Sequence, residues 1–216
     1  MEDEEMTAAV LHYIYDPLCG WCYAAEPIVE AAQEVLPVVM HGGGMVTGDH
    51  RRQISPEFRD YILTHVERIK AFSGQTFSPA YTDDFLGNNG EVMDSTPPTQ
   101  AILAAQALNE GGLAMLKRLQ IAQYIEGQKI YDRTVIDAIA AELGYEAQAF
   151  AQAYEQQAGE VVEQHYTKTH ELMNFVNARG FPTLVLQKGQ NLYTVNMSQY
   201  LGKPAEFKAF LQAEIA

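Results

Sequence analysis

Between residues 9 and 45 the chain reads AVLHYIY, then DPLCGWC, then YAAEPIVEAAQEVL, then PVVMHGGGM. The first block is β-branched and aromatic, as a buried strand requires, and it stops at Asp16-Pro17, a pair that favours a turn. A helix follows from about Cys19 to Cys22, with Ala25, Ile28, Val29, Ala32 and Leu36 on one stripe and Pro27 expected to kink it. PVVM then returns as a second strand running into glycines. A helix-length crossover between two apolar strands makes a parallel pair. Whatever else the chain does, it must complete a sheet around that β-α-β unit.

The completion comes only at the far end. SPEFRDYILTHVERI, TPPTQAILAAQALNE, LAMLKRLQIAQYI, RTVIDAIAAELG and YEAQAFAQAYEQQ carry apolar residues at three- and four-residue spacing, with Ser, Thr, Pro and Gly at their edges. After them FPTLVLQKGQNLYTV reads as two strands joined by a Lys-Gly-Gln turn, and KPAEFKAFLQAEI reads as a closing helix with Pro204 in its first turn. The expected architecture is α/β: residues 1–52 and 179–216 are two halves of one sheet domain, and 53–178 are a helical insertion. The insertion supplies most of the additional surface and is expected to decide which substrates reach the sheet domain.

Charge narrows the partners. The 216 residues hold 28 Asp and Glu against 14 Lys and Arg, a net charge of -14, with no basic run. Phosphate backbones and anionic lipid are repelled, so neither nucleic acid nor a membrane is an expected partner. The start MEDEEMTAA places acids where a secretory signal places Lys or Arg, and no segment has the length of an apolar span. A cytoplasmic location is expected.

The only cysteines are Cys19 and Cys22, at C-x-x-C spacing where strand turns into helix. A thiol at a helix start faces unsatisfied N–H groups and the positive end of the peptide dipoles, both of which favour thiolate. Cys19 holds that place and reads as the nucleophile. Cys22, three residues on, can attack a mixed disulfide on Cys19 and release the substrate. Trp21 offers either a flat apolar surface beside the sulfur or a packing aromatic. The same spacing is half of a zinc motif, but no second cysteine pair follows and His12, His41 and His50 lack the usual spacing, so no metal is expected. A purely structural pair is the third alternative.

Two further stretches bear on the site. HGGGMVTG exposes backbone N–H groups but lacks the Gly-Lys-Ser/Thr ending of a phosphate loop, and reads as a loop beneath or lining the active surface. In ARGFPTLVL, Pro182 enters an apolar strand without an N–H to donate. A strand-edge proline is ordinarily trans and structural; a cis Phe181–Pro182 bond would instead keep the Phe181 backbone available to an extended substrate.

YIYDPLCGWCY, HGGGM and GFPTLVL together resemble the DsbA-like branch of the thioredoxin superfamily, and more narrowly its FrnE-type proteins, over nearly the whole chain. The resemblance implies a thioredoxin-like fold interrupted by a large all-helical insertion. It also implies a thiol-disulfide oxidoreductase, reductase or isomerase in direction, with no cofactor, whose substrate is a protein or small-molecule thiol or disulfide, glutathione included. It carries the exposed nucleophile onto Cys19, the resolving thiol onto Cys22 and the substrate-holding cis proline onto Pro182, with Thr183 following and Phe181 and Trp21 at the substrate surface. The chain departs from secreted DsbA proteins in having Gly20-Trp21 without a histidine, and Tyr13 where a buried Glu serves as proton acceptor. His12, Asp16, Tyr13 or water must replace it. The related kappa-class glutathione transferases and 2-hydroxychromene-2-carboxylate isomerases, which usually place Ser where Cys19 stands, define the alternative: a glutathione-dependent transferase or isomerase.

Overall fold

A computed structural model describes residues 9–216. The acidic start read above as the reverse of a secretory signal lies largely outside the described residues. In chain order the elements are β1 (Val10–Tyr15), α1 (Gly20–Gln33), β2 (Val38–Gly42), β3 (Arg52–Gln53), α2 (Pro56–Ser73), β4 (Val92–Met93), α3 (Thr96–Asn109), α4 (Gly112–Tyr124), α5 (Arg133–Glu142), α6 (Ala147–Gln156), α7 (Glu160–Phe175), β5 (Thr183–Lys188), β6 (Asn191–Val195) and α8 (Pro204–Ile215).

The sheet runs β2-β1-β5-β6, with β1 and β2 parallel and the other two pairs antiparallel. Its register sets Tyr13 opposite Met40 and Leu184. Leu11, Tyr13, Leu184 and Leu186 are buried in the core with Ile28 and Val29 of α1 and Phe207 and Leu211 of α8. Side chains alternate across a strand, so His12 faces the other way, toward His41 and Gln187. The turn between β5 and β6 is Gly189-Gln190, one residue shorter than expected, with Gly189 at φ 60°.

Local chemistry explains the element ends. At α2, Ser55 accepts from the Phe58 N–H, Pro56 occupies the first turn and Gly74 stops the helix at φ 73°. Pro27 lies inside α1 without ending it. Its missing N–H leaves the Tyr23 carbonyl without its helical donor, and the Gln75 side chain supplies one at 3.0 Å. One polar side chain therefore ties the loop after α2 to the helix that carries the cysteines. Between β2 and β5 the chain is helical as expected, apart from the β3–β4 ribbon that pairs Arg52 with Met93 and Gln53 with Val92. Strands of two residues are too short for any alternation to reveal them. Among the described residues, no helix is long and apolar enough to cross a membrane.

Candidate active site

The β1–α1 turn places both cysteines. The Cys19 N–H donates to the Asp16 carbonyl at 3.1 Å, and Cys19 caps α1 with extended backbone (φ -87°, ψ 113°), so the helix begins one residue after it. Space around the glycine after it is tight. A Cβ on Gly20 would come within 3.0 Å of Ile69 on α2, tighter than most real contacts. Cys19, lining a cleft, retains only 6% of its surface, where the resemblance implied a more exposed nucleophile. Its thiol reaches the Phe181 carbonyl at 3.6 Å, and the Phe181–Pro182 bond is cis, as expected.

Cys22 lies fully buried behind it. Burial, more than contact with Cys19, pushes its thiol pKa well up, while the Asp16 N–H, 3.5 Å from the sulfur, acts the other way. Resolution therefore needs a proton acceptor near Cys22. Three residues were considered for it: His12, Tyr13 and Asp16. His12 is spent on the far face of the sheet, its Nδ1 2.9 Å from His41 Nε2 and its Nε2 2.7 Å from Gln187 Oε1. That corrects the expectation that His12 transfers a proton here: the two-residue period of a strand turns it away. Tyr13 donates its hydroxyl to the Cys22 carbonyl at 3.2 Å, and burial raises its own pKa further. Asp16 is buried, its carboxyl pushed up to about 6 by desolvation despite bonds from the Leu18 and Met45 N–H groups and the Ser95 hydroxyl.

The cleft is about 830 Å³. Leu18, Cys19, Trp21, Met45 and Phe181 form one wall, and Phe58, Tyr61, His65 and Ile69 of α2 form the other. Pro182 and Thr183 do not line it; Thr183 starts β5 and donates its hydroxyl to the Gly180 carbonyl. Trp21 serves both readings offered for it, lining the cleft while its Nε1–H donates to His65 Nδ1 at 3.1 Å. His65 is a site residue that sequence reasoning missed, because nothing in THVERI distinguishes a cleft histidine from a solvated one.

HGGGM has a steric reason. A Cβ on Gly43 would sit 2.0 Å from the Phe181 ring, so the aromatic lies directly on bare backbone. Two histidines of α7 hold this loop, His165 Nε2 accepting the Gly42 N–H at 2.9 Å and His170 Nε2 donating to the Gly43 carbonyl at 2.7 Å. Neither was foreseen. Among the described residues no cluster of His, Cys, Asp and Glu suits a metal ion.

The family profile described as DSBA-like thioredoxin domain matches residues 10–202. The chain belongs to the DsbA-like thioredoxin family. This DsbA-like chain is 43% identical to the cytosolic disulfide reductase DsbM from Pseudomonas aeruginosa, covering 95% of its own length and 98% of that chain, at a TM-score of 0.89. A second structure of that reductase, with GSH, matches at 42% identity over 95% and 98% of the two chains, at a TM-score of 0.87. A putative protein disulfide isomerase from Nitrosomonas europaea, 23% identical over 96% and 97% at a TM-score of 0.77, shares the fold. No curated protein matches the sequence. The DsbA-like chain is a thiol-disulfide oxidoreductase with its cysteine pair at Cys19 and Cys22.

Proposed function

We propose that the protein reduces disulfides in the cytoplasm, with Cys19 attacking, Cys22 resolving and glutathione restoring the dithiol. The observation that carries this is the asymmetry of the two sulfurs: one opens to a cleft beside the Phe181 carbonyl, the other is sealed behind it. The likeness to a cytosolic disulfide reductase, seen also with GSH, supports the direction and the thiol. The FrnE-like placement rests on the CGWC, HGGGM and GFPT stretches.

The Cys19 thiolate attacks one sulfur of the substrate, forming a mixed disulfide and expelling the first substrate thiolate. Cys22 then gives its proton to Asp16 and attacks the Cys19 sulfur, expelling the second thiolate and leaving a Cys19–Cys22 disulfide. Two electrons have passed to the substrate. Two glutathione thiols return them and leave as glutathione disulfide. Phe181, its carbonyl beside the attacking sulfur, aligns an extended substrate, and Trp21 forms the apolar side.

Turnover of a small disulfide with glutathione as the sole reductant tests the reading. Wild type should consume two glutathione thiols per disulfide, and Cys19→Ser should be inactive. Wild-type turnover in Cys19→Ser would overturn the reductase and favour the glutathione-dependent isomerase or transferase, whose relatives carry Ser at that position.

A further inference from the structure

Two arginines stand beside aromatic rings that line the cleft in front of Cys19. With two acidic residues for every basic one, most cations are taken up by a carboxylate within 4.0 Å, Lys203 and Lys208 among them. Among the described residues Arg52, Arg59, Arg68, Lys168 and Arg179 have none so close. Arg59 is engaged with the Thr82 carbonyl. Arg52 lines the cleft with its guanidinium 5.5 Å from the Phe58 ring centre, and Arg68 lies 5.6 Å from the ring of Trp21, two residues from Cys19. Both rings line the cleft. A guanidinium against an aromatic face keeps its N–H edge free, and that edge matches a carboxylate. Glu57, in the first turn of α2, is the one carboxylate among the lining residues.

We infer that Arg52 and Arg68 are specificity-determining residues that favour partners carrying a carboxylate beside the sulfur that Cys19 attacks, an acidic peptide disulfide being the fitting class. The inference rests on Cys19 being the attacking sulfur. It also bears on the net charge: Arg52 in the cleft and Arg68 beside Trp21, with no carboxylate within 4.0 Å among the described residues, locally oppose a field that otherwise repels anions.

The test separates the two claims. In a Cys22→Ser background, Cys19 is reacted with sulfonatoethyl and with trimethylammonioethyl methanethiosulfonate. In each case the thiolate attacks the divalent sulfur, forms a mixed disulfide and expels methanesulfinate, and the reagents differ in the sign of charge. At low ionic strength Arg52→Glu/Arg68→Glu should lower the anionic-to-cationic rate ratio about tenfold, while the same reversal at Lys203 and Lys208 moves it less than about twofold. Arg52→Gln/Arg68→Gln, which introduces no new charge at the aromatic rings, should give part of the shift and secures the test if the Glu pair does not fold. A ratio that the cleft arginines move no more than the distant lysines overturns the assignment. A folded protein whose Cys19 reacts with neither reagent overturns the underlying reading instead.

Discussion

Asp16 is the residue where function and stability pull apart. Its folded pKa of about 6 stands above its ordinary 3.8 because burial disfavours the carboxylate. A raised acid contributes stability fully below the unfolded value and loses it as pH rises through the folded one. That window, from about 3.8 to about 6, corresponds to about 3 kcal/mol of linkage. Relative to Asp16→Asn, wild type should therefore lose about 2 kcal/mol between pH 4 and pH 6.5 in urea titrations. A difference independent of pH would show that Asp16 ionises at no cost. The same substitution should slow release of substrate from Cys19 while sparing the first attack, since only Cys22 needs the proton acceptor. Sequence placed Asp16 and His12 on equal footing. Strand alternation separates them once the register is known, and what the sequence does not display is that Ser95, 79 residues away, helps to bury the carboxyl.

The glycine loop and α7 form a unit that holds Phe181 in place. Gly43→Ala would drive a methyl into the Phe181 ring, and should cost about 1–3 kcal/mol and displace the carbonyl beside Cys19, lowering activity as well as stability. His165 must be neutral to accept the Gly42 N–H, and burial lowers its pKa below the ordinary 6.5. A lowered histidine contributes stability above the unfolded value and loses it as pH falls, opposite to Asp16. His165→Leu leaves a buried N–H unpaired and should cost about 1–3 kcal/mol at pH 8, with a smaller cost in acid, while His165→Gln, which keeps an acceptor, recovers part. Equal costs at both pH values would refute the tautomer assigned here. HGGGM was legible as a loop under the active surface because three glycines admit few other readings. The α7 contribution was not: only Val162, Tyr166 and Thr169 of that helix are buried, too sparse a stripe to mark the face that meets the loop.

Across the whole molecule, the outline β-α-β, helices, β-β-α was readable because short β-branched and aromatic runs give way to three- and four-residue apolar spacing, and the cysteines sit at the first such change. The cleft was not readable, since its lining comes from segments as far apart as Cys19, Phe58 and Phe181 that only the fold brings together, and Arg52 and Arg68 look like any other arginines in a short ribbon and a helix. The net charge of -14 has its own consequence. Surface ion pairs such as Lys203–Glu206 and Lys70–Glu67 are worth about 0–1 kcal/mol each, so screening the overall repulsion should outweigh weakening them. Adding NaCl to about 0.2 M at pH 7 should raise the melting temperature; a fall would mean that the pairs dominate. The division of labour between the sulfurs is tested most directly by mass spectrometry of single cysteine variants mixed with a small disulfide. The account predicts a stable adduct of half the disulfide on Cys19 in Cys22→Ser and none on Cys22 in Cys19→Ser, whereas an adduct on Cys22 forming as fast as on Cys19 would contradict it.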